Sequence, residues 1–409
     1  MEKSIPIGQI NMPSDIRTVN ELRVLELFRG GGTLTAPEIQ SATGISKPTI
    51  MKILQHLCSQ GVIRSAGIGS STSAGGKKPE LYTFADERLI LSVAFWPKST
   101  ALALSGLVGE VGQTQVIEHE LGADLDAEIL WLSSEIREYL RQRGVGLSSL
   151  YGAVISTSGT VDYHDLILRY NSQAPSWGSN VHLKKYLIQH LGPLPQYTVE
   201  NAGKITGRAA LVDDPSLNDQ RVLTIFTTWG VSGCLIESGR VLNGKDFLIG
   251  EIGHMTVSDD DTELCGCGRT GCLERMVSIE HTRKLAEQLG VHFFANNPLF
   301  DFDDLFELSV RGDADARKLV RRLAHYFAIM LHNISLVYNP DVVVFQGNFA
   351  FADAYFDKCL RVELSTFRYN TQESLRILYD RSPLERQAAK GAADMIRRIY
   401  FSSSPSDGK

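Results

Sequence analysis

The chain has 409 residues, 43% of them hydrophobic and 22% charged, with a formal net charge of −6 at pH 7. Single cores stop growing at roughly 250–300 residues, so this length calls for two or three domains. Six cysteines in 409 residues and no apolar leader argue against a secreted disulfide scaffold and point to a reducing cytoplasm, and no uncharged apolar stretch reaches the roughly 18–20 residues of a membrane span.

The charge is uneven. Residues 1–85 carry nine Lys or Arg against six Asp or Glu, while the remainder holds 32 against 41. A mildly basic amino-terminal module on an acidic body directs attention to a nucleic-acid partner for that module alone. From Val19 to Phe28 the apolar residues fit one helical face, which Gly30-Gly31-Gly32 closes. Thr35 is placed to cap a second helix with Pro37 in its first turn and Gly44 at its end. Ser46 is placed to cap a third, Lys47 to Ser59, with Ile50, Ile53, Leu54 and Leu57 as its buried stripe. Three short helices of this kind predict a helix-turn-helix. Val62-Ile63-Arg64 and Leu81 to Phe84 then read as strands around a Gly- and Ser-rich loop, Gly67 to Pro79, which completes a winged helix over residues 1–85. In that arrangement the third helix enters the major groove, so Ser46, Lys47, Thr49 and Lys52 are the candidate base contacts. Lys77 and Lys78 would meet phosphates of double-stranded DNA, contacts that position without specifying. A small helical protein-interaction domain is the competing reading.

From about Asp86 to residue 409 the chain alternates strands with helices. Leu89 to Val93 and Thr100 to Leu107 predict a hairpin, followed by a helix through Ala127 to Arg141 and a buried strand at Leu150 to Ser156. Strands recur at Tyr197 to Val199, Val222 to Phe226, Cys234 to Glu237 and Val342 to Phe345. The intervening helix Ala314 to Tyr338 carries an apolar face, either core or dimer contact. This is an α/β body of two lobes with a ligand cleft where strand ends meet. Within it, His254, Cys265, Cys267 and Cys272 stand close enough to form a tetrahedral Cys3His set for one structural Zn2+, with no ligand missing. Gly266, Gly268 and Gly271 let the backbone wrap the ion, and Glu251 and Glu274 flank it as free carboxylates. Buried, unliganded thiols are the competing reading there, and the simplest one for Cys58, Cys234 and Cys359. The acidic run Asp259-Asp260-Asp261 reads as a solvated loop, and Ser402 to Lys409 as a disordered tail.

The run Gly250-Glu251-Ile252-Gly253-His254, followed by Cys265-x-Cys267-Gly-x-x-Gly-Cys272-Leu-Glu274, resembles the signature of the ROK family, which unites bacterial sugar kinases with sugar-responsive repressors. The resemblance extends over nearly the whole chain. The winged helix with Gly75-Gly76-Lys77-Lys78-Pro79 is similar to the repressor branch, which includes the xylose and N-acetylglucosamine repressors. It implies an actin-like, sugar-kinase-like body and assigns Asn171, Asn201, Glu251, His254 and Glu274 to sugar binding. His254 would bind zinc through one ring nitrogen and face the sugar with the other. The kinase pattern is broken at four places. Ala202 stands where the kinases place the Asp that acts as general base. Val93 to Thr100 carries Phe95, Trp96 and Pro97 instead of a glycine-rich phosphate loop. Thr227 to Gly233 and Gln346-Gly347 depart from glycine-rich family motifs. The resemblance therefore implies a transcriptional regulator, usually a repressor, without catalytic residues. It would bind operator DNA and a sugar or sugar-phosphate effector in the cytoplasm at the nucleoid, as a homodimer or dimer of dimers. An ATP-dependent sugar kinase with an added DNA-binding domain is the alternative, and control by a transport protein is a third option.

Overall fold

The structure, a computed structural model, describes residues 13–69, 78–259, 261–297, 299–367 and 375–402. Its amino-terminal helices follow their local signals closely. The Thr35 hydroxyl accepts the Glu38 N–H at 3.4 Å and the Glu38 carboxylate accepts the Thr35 N–H at 2.7 Å, a reciprocal capping box that starts the Ala36–Thr43 helix. Gly44 ends it at a φ of 69°. The third helix is Lys47–Ser59, as predicted, with Ile50, Ile53, Leu54 and Leu57 buried. Ser46 occupies its N-cap position but makes no capping bond, contrary to expectation. Pro48 removes one of the N–H groups a cap would take, and the Ser46 hydroxyl instead meets that of Thr49 at 2.9 Å. The first helix is longer than its apolar face indicated, Pro13–Glu26. Thr33–Thr35 adds a third strand against Glu80–Phe84, which also pairs with Ile63–Ile68; three residues are too few to show a period in sequence.

Two five-stranded sheets and a small three-stranded one, Val181–His182, Ile167–Tyr170 and Thr160–Asp162, form the body among the described residues. The first runs in the order Gln196–Asn201, Leu150–Thr157, Leu89–Phe95, Ser99–Gly106, Gln115–Glu118, parallel among its first three strands. The second runs Arg240–Val241, Val231–Glu237, Val222–Thr227, Val342–Gly347, Arg376–Asp380, parallel among its last three. On their outer faces lie the helices Leu125–Gln142 and Leu183–His190 for the first sheet, and Ala314–Val337 and Ala354–Ser365 for the second. Leu319, Leu323, Phe327, Met330 and Leu331 are fully buried there, so that face of the Ala314–Val337 helix is core.

Two further helices fill the space between the sheets. Ala202–Asp213 packs on the second sheet and Leu384–Ser402 on the first, and each lies against the other. Their approach is close because Gly391 has no side chain; a Cβ there would strike the Ile205 carbonyl. The Leu384–Ser402 helix, absent from the predicted elements, then continues to the winged helix. Phe84 meets Tyr400 and Phe401 at ring separations of 5.7 and 5.5 Å. The Asp394 carboxylate, almost fully buried, accepts from Arg29 at 2.5 Å and Arg398 at 2.7 Å and lies 3.8 Å from Arg208. One apolar core therefore runs from Val24, Leu54 and Phe84 to Ile396, Ala392 and Ile205. Ser402 ends this helix and does not begin a tail; the rest of the predicted tail lies outside the described residues.

Candidate functional site

A cavity of about 860 Å³ opens between the lobes, at the carboxyl ends of the parallel strands. Asn201, Glu251, His254 and Glu274 all line it. Asn201 is the last residue of a strand and the N-cap of the Ala202–Asp213 helix. Its side-chain oxygen accepts the N–H groups of Gly203 at 2.9 Å and Lys204 at 3.4 Å, and its amide donates to the Gly159 carbonyl at 2.8 Å. The second amide hydrogen is left for a ligand. Glu251 accepts from the Thr160 hydroxyl at 3.2 Å, a bond that bridges the two lobes. Its other oxygen lies 3.8 Å from His254 Nε2. Glu274 accepts the Val231 N–H at 2.9 Å, an approach allowed because a Cβ on Gly230 would run into its carboxylate. Burial pushes the Glu274 carboxyl above the usual range, partly offset by the Val231 N–H and by His254.

The structure places Asn171 differently from the other four. It is fully buried and stands behind the cavity wall, because its side-chain oxygen is committed to the Ser158 hydroxyl at 3.1 Å and the Gln173 N–H at 3.0 Å. Its neighbours Arg169, Tyr170, Ser172 and Gln173 reach the cavity instead.

Beside the carboxylates, the candidate ligand atoms of His254, Cys265, Cys267 and Cys272 all lie within 4.8 Å of one another. His254 Nδ1 is 3.6 Å from Cys265 Sγ, and Cys267 Sγ is 3.6 Å from Cys272 Sγ. These separations are too long for a disulfide at about 2.05 Å. They match the roughly 3.5–3.8 Å edges of a tetrahedron with Zn–S about 2.3 Å and Zn–N about 2.0–2.1 Å. Burial, with Cys267 beside it, pushes the Cys272 thiol up to about 12; a dication in the cluster reverses that by stabilising thiolates. The His254 ring thus offers Nδ1 to the cluster and Nε2 to the Glu251 side. The loop is braced by Asp261, which accepts from Arg275 at 2.8 Å and from the Gly271 N–H at 3.3 Å. Asp261 is half-buried as a residue, with its side chain 6% exposed and paired to Arg275, which corrects the expectation of a solvated loop at that residue.

Ala202 presents its methyl group to the cavity. Trp96 is buried, donates to the Ser156 hydroxyl at 3.3 Å, and packs against Phe226 at 6.1 Å and Trp229 at 5.5 Å. In the winged helix, Ser46, Lys47 and Lys52 are exposed and Thr49 is half-buried, all on the outer side of the Lys47–Ser59 helix. Lys78 is exposed; Lys77 lies outside the described residues. The residues missed in sequence are Arg29, Arg208 and Asp394, together with the lining residues Gln173 and Lys245, which no local motif marks; Trp229 lies within the Thr227 to Gly233 run, where its place in the cavity wall was not foreseen.

Comparison with known proteins gives two family matches: the ROK family over residues 103–399 and the IclR helix-turn-helix domain over residues 19–67. A xylose repressor of Caldicellulosiruptor bescii is 23% identical over 399 residues, 93% of this chain and 97% of that protein. A ROK family transcriptional regulator, a homolog of the E. coli MLC protein, has a TM-score of 0.79 at 20% identity, over 96% of this chain and 98% of that one. A ROK family glucokinase from Streptomyces griseus, solved with glucose and AMPPNP, has a TM-score of 0.61 at 18% identity, over 75% and 98%. The fold is accordingly an amino-terminal helix-turn-helix followed by an actin-like, sugar-kinase-like body.

Proposed function

The chain belongs to the ROK family, and on that footing we propose that it is a sugar-responsive transcriptional repressor. It binds operator DNA through Ser46, Lys47, Thr49 and Lys52, with Lys77 and Lys78 on phosphates, and a sugar in the interlobe cleft. The observation that carries this reading is the convergence of Asn201, Glu251, His254 and Glu274 on one cavity, with Ala202 at the base position. Carboxylates and an amide hold vicinal hydroxyls in pairs, and charge strengthens each bond. A methyl group takes no proton, and the Trp96, Phe226 and Trp229 rings occupy the region of the expected phosphate loops, which argues against a kinase. Asn171 acts through Ser158, whose hydroxyl it holds. Zn2+ on His254, Cys265, Cys267 and Cys272 would be structural, fixing His254 and the short Leu273–Met276 helix that carries Glu274. The protein works in the cytoplasm, at the nucleoid, as a homodimer.

A ligand shifts a protein between states only by binding one of them better, with typical coupling of roughly 1–3 kcal/mol. Closure of the lobes on the sugar displaces Asn201 and with it the helix it caps. Arg208 of that helix lies beside Asp394, and Asp394 holds Arg29 of the winged helix. Two winged helices must span half-sites about 34–36 Å apart, so a modest change in their setting weakens operator binding. The test is operator affinity by fluorescence anisotropy, with and without sugar. Glu251→Ala is expected to leave sugar-free DNA binding unchanged and to abolish the sugar response. A retained response would remove the cleft from sensing, and tight ATP binding with sugar phosphorylation would establish the kinase reading.

A further inference from the structure

The cavity is larger and more apolar than four sugar-binding side chains require. Its volume of about 860 Å³ lies near the top of the roughly 300–1,000 Å³ usual for small-molecule sites, well beyond what one pyranose ring fills. An aromatic wall lines the same cavity, and its Trp229 directly precedes Gly230 and Val231, which touch the Glu274 carboxylate. Trp96 and Phe226 form its buried layer, while Trp229 is half-buried and retains surface toward the cavity. Tyr170 and Leu248 line the same space and are 38% and 61% exposed, among the large apolar side chains left to solvent in the described residues. An apolar surface inside a cleft, continuous with a carboxylate floor, is what a ligand with one hydroxylated end and one apolar face would cover.

The charges select further. Glu251, Glu274 and Asp246 are the carboxylates on the cavity, and Arg169 and Lys245 its Arg and Lys side chains. Arg169 is committed to Asp162 at 2.6 Å and to Asn180 at 3.0 Å, and Lys245 is exposed at the rim next to Asp246. A dianionic phosphate would therefore face like charges at the floor and aromatic rings at the wall, both unfavourable.

Resting on the sugar-sensor reading, we infer that the effector is an uncharged glycoside: one sugar ring held by Asn201, Glu251 and Glu274, extended through its glycosidic oxygen. The extension, a second sugar ring or an apolar aglycone, lays its C–H face on Trp229 between Tyr170 and Leu248. Sugar phosphates are excluded by the same surface.

Isothermal titration of the zinc-loaded full chain with four forms of each common pentose and hexose tests this. The forms are the free sugar, its phosphate, its phenyl glycoside and its homodisaccharide. For the sugar that binds, the phenyl glycoside or the disaccharide is expected to bind about tenfold tighter than the free sugar, consistent with one aromatic contact. Which of the two gains identifies the extension, and the phosphate is expected to bind more weakly than the free sugar. Trp229→Ala removes most of the extended ligand's advantage over the free sugar, read as the ratio of the two affinities in the same variant. Leu248→Ser, at an exposed position where folding is not at risk, reduces the same advantage. Tightest binding by the phosphate, or equal binding of free and extended sugars, overturns the inference and leaves the sensor reading standing. Binding of none of the four forms overturns both.

Discussion

Asp394→Asn is the perturbation that most directly probes how the cleft and the DNA-binding module communicate. The substitution keeps shape and removes one charge from a carboxylate that faces Arg29, Arg398 and Arg208. Truncating one partner of a buried ion pair costs about 3–5 kcal/mol. Here the carboxylate is 5% exposed while the Arg29 and Arg398 side chains are 27% and 33% exposed; water therefore screens part of the loss, and about 2–3 kcal/mol is expected. The amide can still accept one hydrogen bond from Arg29, so the module stays attached and the three guanidinium groups repel one another. Two measurements are needed: urea denaturation for stability, and operator affinity with and without the effector. The expected result is a stability loss of that size, unchanged effector affinity without DNA, and an effector response reduced from roughly 5–150-fold to near unity. An intact response in a destabilised protein would refute the route through Asp394 and leave it a purely structural pair. A double-mutant cycle with Arg29→Gln then isolates the pairwise share.

Other consequences follow from the same geometry. Removing zinc with a chelator, or replacing Cys272 with Ser, is expected to lower the melting temperature and weaken effector binding together, because His254 is shared between cluster and cavity; thermal unfolding and titration of the metal-free protein check it, and effector affinity indifferent to zinc would separate the two sites. Lys52→Ala is expected to weaken operator binding and to reduce the slope of log affinity against log salt by up to about one if Lys52 meets a phosphate, or to relax base preference if it meets a base; binding titrations at several salt concentrations distinguish these, and no change in either would remove Lys52 from the interface. Hydrogen bonding from Arg275 holds the Asp261 carboxyl down to about 2, below its unfolded value of about 3.9. A depressed folded value contributes stability above the unfolded one and loses it as pH falls. The stability difference between the wild type and Asp261→Asn is therefore expected at pH 7 and should shrink between about pH 4 and pH 2, as followed by denaturation at several pH values; a difference that does not depend on pH would mean the ion pair contributes nothing.

The elements that could be read from the sequence are those whose cause is local. Thr35, Glu38 and Gly44 lie within nine residues of one another and delimit a helix through bonds to their own neighbours, and the Lys47–Ser59 helix shows its buried stripe as a period. The His254, Cys265, Cys267 and Cys272 group, which could hold a metal ion, was legible for the same reason, its cysteines being spaced closely enough for the loop to bring them together. Where local chemistry competed, the reading failed: Pro48 left Ser46 without a full choice of N–H partners, and Asn171 was drawn back to its own loop by the Gln173 N–H.

Sequence alone determined the helix-turn-helix, the alternating α/β body, the likeness to the ROK family and the Cys3His donor set of a candidate metal site, since periodicity, caps and short motifs record interactions between near neighbours. Tertiary structure alone decided that the carboxyl-terminal helix is the seat of the winged helix, that Arg29 meets Asp394 across a separation of 365 residues, and that Trp96 and Trp229 share a wall of the cleft. Contacts between such distant residues depend on how whole elements pack, and they impose no spacing on the chain from which they can be read.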